Sequence, residues 1–304
     1  MASLPRIGWI GAGRMGVPMA GFIMKAGYPL MVWSRSAASR QKLVALGASE
    51  ARDTASCARE AEVIFSAVAD DAALRDVALG PRGVLANAAA GAVFADTSTV
   101  SPQVSEEVAR EAAARGVDYL RMPISGNAAS AQTGDITVLV SGPEAAWKRI
   151  KSIVETFSKD QAYLGEGEQA RYMKLVTNAI IVSTGQALAE ALSLGRKAGM
   201  EWKPMLDTIA RSTIASPWLK AKIARLATRD FAPTMTPDLI CKDMDLMLAA
   251  AAAHGMGMPL TARTRDLWQA LLDEYASEDY MAAVKLAEKR AGLSTENVDA
   301  SEGK

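Results

Sequence analysis

The 304-residue chain holds one histidine and two cysteines, and its 34 basic residues are balanced by 34 acidic ones. Each scarcity excludes something. Cys57 and Cys241 lie far apart and follow no ligand spacing, which argues against a disulfide frame or a zinc site. They point instead to a reducing, cytoplasmic setting, with no metal expected. Without a basic excess, neither nucleic acid nor an anionic membrane surface is expected as a partner. The N-terminal Met1-Ala2-Ser3-Leu4-Pro5-Arg6 runs straight into a strand pattern and leaves no room for a signal peptide. The apolar runs are expected to be broken by charge before the roughly 20 residues of a bilayer span. The single histidine, His254, closes an alanine-rich helical stretch just before Gly255, where the helix dipole favours it as a C-terminal residue. A proton-transferring group must therefore be found among other side chains.

Half of the residues are hydrophobic, enough for a sizeable core, and the length suggests two domains. Arg6 to Ile10 reads as a buried strand, and Gly11-Ala12-Gly13-Arg14-Met15-Gly16 turns it into a helix through Lys25. A GxGxxG between strand and helix is a dinucleotide-binding signature. Gly11 permits the tight turn, Gly13 lets backbone approach a pyrophosphate, and Gly16 packs helix on strand. The phosphates are expected at the helix N-terminus. The second strand, Leu30 to Trp33, ends in Ser34-Arg35-Ser36, where an NAD-specific site would carry an acid for the ribose hydroxyls. Arg35 can pair with a 2′-phosphate and Ser34 and Ser36 can donate to it, so NADP(H) is favoured over NAD(H).

The alternation continues through strands at Val63 to Val68 and Val93 to Asp96 and helices at Ala37 to Leu46 and Pro102 to Arg115. This predicts an α/β fold with a doubly wound parallel sheet and ligands at the carboxyl ends of its strands. Val68, Ala69 and Thr99 should line the cofactor, Thr99 near its nicotinamide half. A further strand ends near Pro123, and Ser125-Gly126-Asn127 opens a short helix whose amides, with the Ser125 hydroxyl, offer a carboxylate site. Thr137 to Ser141 reads as the last strand, followed by an amphipathic helix from Glu144 to Phe157.

From Gly165 onward the period changes from two to 3.6. The expected organisation is a Rossmann-type NADP-binding domain over 1–164, an all-helical domain for substrate and oligomerisation over 165–294, and a disordered tail over 295–304, the two domains joined by a long interdomain helix. That helix carries Met173, Leu175, Val176, Ile180, Ile181 and Val182, too apolar for a one-sided surface helix, and is expected to be buried on most of its circumference. Lys174 and Asn178, four apart, share one face. Taken alone they could be a snorkelling lysine beside a surface amide. Next to a dinucleotide turn they become the leading candidates for the acid/base group and its neighbour. The alanine-rich helices suggest a homodimer or homotetramer.

These residues resemble the β-hydroxyacid dehydrogenases, the group of 3-hydroxyisobutyrate dehydrogenases and tartronate or succinic semialdehyde reductases. The resemblance runs through five ordered segments: Gly11 to Gly16 with Met19-Ala20 and Ala26-Gly27; Asp96 to Thr99; Pro123 to Gly126; Gly165-Glu166-Gly167 with Lys174 and Asn178; and Phe231 followed by Lys242-Asp243. It implies Lys174 as catalytic acid/base, Asn178 as its partner on a small carboxylate-bearing substrate, and Ser125 and Gly126 as carboxylate binders. It also implies Lys242 and Thr99 near the nicotinamide and Phe231 in the pocket wall. Two positions depart from the family pattern. Arg121 stands where an acid is usual and Asn127 where a second glycine is usual, and both are expected to border the acyl site. The implied reaction interconverts a small 3-hydroxy acid and its semialdehyde by hydride transfer. Protonated Lys174 donates to the oxygen in reduction, and the neutral amine accepts the proton in oxidation. Alternatives are an imine reductase, which usually lacks the lysine, a 6-phosphogluconate dehydrogenase, which is usually longer and richer in phosphate-binding cations, and a non-catalytic NADP-binding module.

Overall fold

In the computed structural model, which describes residues 4–296, strands and helices alternate as far as Tyr163. Strands β1 (Ile7–Ile10), β2 (Leu30–Trp33), β3 (Ser49–Glu50), β4 (Val63–Ser66), β5 (Val93–Asp96) and β6 (Asp118–Arg121) form one parallel sheet in the order β3-β2-β1-β4-β5-β6. The helices of this half are α1 (Gly16–Lys25), α2 (Ala37–Val44), α3 (Thr54–Glu60), α4 (Asp71–Leu79), α5 (Val84–Asn87), α6 (Pro102–Ala114), α7 (Ala128–Thr133) and α8 (Glu144–Val154). β1, β4 and β5 are buried along their whole length, as strands of a sheet covered on both faces must be. Their side chains alternate between two cores. Ile7, Trp9, Val63, Phe65, Val93 and Ala95 enter one, in which Trp9 stacks on Phe65 at 5.4 Å with Phe157 edge-on. Ile10, Ile64 and Phe94 enter the other, against Leu74, Val104 and Val108.

A second, three-stranded sheet follows: β7 (Ile124–Ser125), antiparallel to β8 (Thr137–Val140), which runs parallel to β9 (Asp160–Tyr163). β8 is therefore not the last strand, a correction to the sequence reading. Asp160-Gln161-Ala162-Tyr163 is a half-exposed edge with no fully buried residue, so no apolar alternation announces it. β3 escaped notice for the same reason, being two exposed residues paired only to β2.

The chain divides into two compact units between Val176 and Thr177, inside the 29-residue helix α9 (Gln169–Lys197). The change of period at 164–167 thus comes about two turns before the units part. The second unit is helical throughout its described residues: the rest of α9, α10 (Trp202–Arg211), α11 (Pro217–Ala227), α12 (Pro237–Ala253), α13 (Pro259–Glu274), a 3-10 turn at Tyr280–Ala282 and α14 (Ala283–Arg290). Several polar side chains buried in it are paired, while the Thr264 hydroxyl has no hydrogen-bond partner. Trp268 donates to Gln186 Oε1 at 2.7 Å, and Glu288, fully buried, is clamped by Arg196 and Arg229 at 2.8 Å. His254 occupies the C-terminal cap of α12. Of the expected tail, residues 297–304 lie outside the described residues; the carbonyl of Thr295 accepts from Arg229.

By length and composition α9 could cross a membrane, with a mean hydropathy of 1.3 over an 18-residue window, although Lys174 and Glu190 interrupt its apolar run as expected. It overturns one expectation, because it is one-sided. Leu175, Val182, Leu188 and Leu192 are buried, while Ile180 and Leu194 are 65% and 72% exposed. The buried side-chain bonds of Asn178 and Gln186 to Asp243 and Trp268 are those of a core helix.

Candidate active site

The first site is built by the turn between β1 and α1. A Cβ at Gly11, where φ is +100°, would lie 2.2 Å from the carbonyl oxygen of Ala67, and one at Gly16 would lie 2.1 Å from that of Gly11. These two glycines are demanded by backbone packing. A Cβ at Gly13 would meet nothing within 4 Å. No protein atom requires a glycine at 13, but a pyrophosphate lying against that backbone would. A cleft of about 480 Å³ opens beside it, at the carboxyl ends of the strands. It is lined by Gly11, Ala12 and Gly13, by Trp33, Ser34 and Arg35 after β2, by Ala67 to Asp70 after β4, and by Ser39 on α2 and Ala72, Ala73, Asp76 and Val77 on α4. The residues present fit a dinucleotide.

Of the residues expected to hold the cofactor, Gly11, Ala12, Gly13, Ser34, Arg35, Val68 and Ala69 come together here. Arg14, Met15, Gly16, Ser36 and Thr99 are not among the lining residues. Met15 occupies the N-cap of α1, and the Ser36 hydroxyl caps α2 by accepting from the Ser39 amide at 3.3 Å. Ser98, rather than Thr99, meets the β4 end, its hydroxyl accepting from the Val68 amide at 2.9 Å. Sequence reasoning missed Ser39 and Arg40. Arg40 reaches back from α2 so that Nη1 donates to the carbonyls of Ser34 and Arg35, while its Nε is held by Glu50 Oε1 at 2.7 Å. An arginine six residues beyond Ser34 was visible in the sequence, but its target, two backbone carbonyls, was not.

Directly after β7, Gly126 has φ +151°, and a Cβ there would strike Ile136 at 2.7 Å and Ser130 at 2.8 Å. Ser125 precedes it in β7. The Asn127 side chain caps α7, accepting from the amides of Ala129 at 2.9 Å and Ser130 at 3.1 Å. Two of the amides expected to receive a carboxylate are thereby occupied from within, and Asn127 has a structural use that its departure from the family pattern did not suggest. Arg121 is likewise committed. It is 6% exposed, its Nε and Nη2 meet Glu168 Oε1 at 2.7 and 2.5 Å, and its guanidinium covers the Tyr119 ring at 4.9 Å. It forms a buried ion pair between β6 and the residue that precedes α9.

Lys174 lies half-buried in the second turn of α9 and Asn178 one turn further, 3% exposed. Asn178 Nδ2 donates to Asp243 Oδ2 at 2.8 Å, and Lys242 Nζ lies 3.0 Å from Asp243 Oδ1. Asp243, 2% exposed on α12, was quoted in the sequence only as the neighbour of Lys242. Phe231, also in the second unit, is 7% exposed, with Lys285 Nζ at 4.4 Å and the Arg229 guanidinium at 5.2 Å from its ring centre. Among the described residues no cluster of His, Cys, Asp and Glu could hold a metal.

Sheet order, glycine turn and cleft define an oxidoreductase-type NAD(P)-binding Rossmann domain followed by a helical domain. Comparison with known proteins agrees. The NAD binding domain of 6-phosphogluconate dehydrogenase matches residues 6–165, and the family described as NAD-binding of NADP-dependent 3-hydroxyisobutyrate dehydrogenase matches residues 168–287. The chain belongs to the β-hydroxyacid dehydrogenase family of oxidoreductases. It is 31% identical to a 2-(hydroxymethyl)glutarate dehydrogenase of Eubacterium barkeri over 95% of this chain and 97% of that one. It is 29% identical to an NAD-dependent L-serine dehydrogenase of Pseudomonas aeruginosa, over 95% of this chain and all of that one. Among solved structures, a Mycobacterium tuberculosis 3-hydroxyisobutyrate dehydrogenase with L-serine superposes with a TM-score of 0.85 at 24% identity, covering 93% of this chain and 99% of that one.

Proposed function

We propose that the protein is an NADP(H)-dependent dehydrogenase that interconverts a small 3-hydroxy acid and its semialdehyde, with Lys174 as general acid/base. The observation that carries this reading is the pair formed by Lys174 and Asn178 one turn apart on α9, with Asn178 fixed by the buried Asp243. A bound nicotinamide supplies hydride in reduction and accepts it in oxidation. As charge develops on the substrate oxygen, the Lys174 ammonium donates a proton to it, and in oxidation the neutral amine takes the hydroxyl proton. Asn178 spends one N–H on Asp243. Its side-chain oxygen is of the right kind to accept from the amine or to orient the reacting hydroxyl. The Ser125 hydroxyl and the Gly126 amide hold the substrate carboxylate.

The cofactor preference rests on Arg35 and Ser34 in the cleft and on the lack of an acid at the end of β2. The relatives point both ways, one being named NAD-dependent and the matching family NADP-dependent. Self-association through exposed apolar residues of α9, Ile180 and Leu194 among them, and a cytoplasmic setting belong to the same proposal. The test is a panel of 3-hydroxyisobutyrate, L-serine, and succinic and tartronic semialdehydes, each with NADPH or NADH (NADP⁺ or NAD⁺ for the hydroxy acids), followed by nicotinamide absorbance. Turnover of at least one, faster with the phosphorylated cofactor, is expected; no turnover of any would remove the reading.

A further inference from the structure

One buried cation in the first unit has no part in the scheme above. Arg171, in the first turn of α9, is 1% exposed. Its Nη2 donates to Asp96 Oδ2 at 2.6 Å and to the Tyr119 hydroxyl at 2.9 Å, its Nη1 to the Ser98 carbonyl at 2.6 Å, and its Nε to Ser105 Oγ at 3.2 Å. Asp96 Oδ1 in turn receives the hydroxyls of Ser66 at 2.5 Å and Ser98 at 2.7 Å. Ser98 accepts the amide of Val68, a residue of the cofactor cleft. One guanidinium thus ties the start of α9 to β5, β6 and α6, and through Ser98 to the end of β4.

We propose that Arg171 is a positioning residue for the transfer step. It sets the rotation and height of α9, and so the place at which Lys174, three residues on, carries its ammonium relative to the β4 end of the cleft. The inference rests on the reading of Lys174 as the acid/base group. Two physical points favour positioning over stability. A buried ion pair gains little over well-packed apolar side chains, because desolvation consumes its attraction. Four directed bonds, to β5, β6, α6 and the loop at Ser98, fix a helix about its axis, which apolar packing does far less sharply, and residues three apart on a helix move together. The neighbouring Arg121–Glu168 pair holds the same end of α9 from β6, so the start of this helix is doubly fastened.

The test separates stability from placement. Arg171→Met leaves the Asp96 carboxylate buried without its cation and should lower the melting temperature along with kcat. Adding Asp96→Asn removes that stranded charge and keeps acceptors for Ser66 and Ser98, so the double variant should regain most of the lost melting temperature. It should bind NADPH, read by fluorescence, within about twofold of the parent, yet keep a kcat reduced by about ten- to a hundredfold, the usual cost of misplacing a reacting group by an ångström. Arg171→Lys keeps the charge but not the fork. It should fold and lose kcat with KM little changed. A double variant, or an Arg171→Lys variant, with kcat within twofold of the parent would overturn the inference. Lys174→Ala run alongside tells the two readings apart. If it is inactive while the Arg171 variants are active, only the positioning role fails; if it is active itself, the reading beneath fails.

Discussion

Asn178 and Asp243, 65 residues apart in sequence, meet at 2.8 Å with both side chains almost wholly buried. The bond fixes the Asn178 amide by its nitrogen, one turn along α9 from Lys174. Asn178→Asp would set two carboxylates face to face, and one of them would have to take up a proton. At low pH the neutral member can donate to the other. As pH rises that proton must be lost, which the unfolded chain does more readily. The melting temperature of Asn178→Asp should therefore fall from pH 5 to pH 8, relative to the parent. A flat difference across that range would mean that the two groups part in solution.

Lys174→Ala should cut kcat by about 10²–10⁴-fold, the usual contribution of a general acid–base group, with NADPH affinity nearly unchanged. Retention of more than about a tenth of the rate would assign proton transfer elsewhere. Ser125→Ala should act differently, raising KM for a carboxylate substrate more than it lowers kcat. Steady-state kinetics on both variants provide the comparison.

Ser34→Asp with Arg35→Leu should move the preference from NADPH toward NADH. A charge-assisted contact contributes about 1.5–3 kcal/mol, so losing the one to a 2′-phosphate corresponds to roughly ten- to a hundredfold in kcat/KM. Arg40 braces the carbonyls of both replaced residues and is itself braced by Glu50. Arg40→Leu should weaken NADPH binding while leaving kcat at saturating cofactor unchanged. A wild-type enzyme that prefers NADH would show that Arg35 points to solvent.

Asp279 should make the second unit acid-sensitive. Burial alone would raise its pKa, but the Lys222 ammonium at 2.8 Å and bonds from Thr234 and Met281 hold it below its ordinary 3.8. Between the folded value and 3.8 the unfolded chain binds the proton and the folded chain does not, so stability rises with pH there. The contribution is complete above the unfolded value and is lost as pH falls through the folded one. Asp279→Asn should lower the melting temperature at pH 6 and narrow its difference from the parent below pH 4. A parallel decline of both proteins would locate the acid sensitivity elsewhere.

Much of the architecture was legible from local pattern. The glycine turn, the buried strands of the first sheet and the helices after Gly167 are set by backbone sterics and by apolar period, which act between neighbours in sequence. So is the spacing that puts Lys174 and Asn178 on one face of α9. The short polar strands β3 and β9 were silent because their pairing is all that makes them strands. What the tertiary structure alone decided is which polar side chains are already used. Asn127 caps α7, Arg121 meets Glu168, Asn178 meets Asp243, and Arg171 gathers Asp96, Ser98, Ser105 and Tyr119. A sequence shows that such groups exist and that buried ones must find partners. The Asn127 cap is made with its own neighbours, but the partners of the other three depend on backbones brought together from 47 to 75 residues away, as for Arg121–Glu168, Asn178–Asp243 and Arg171–Asp96, and no local period records that.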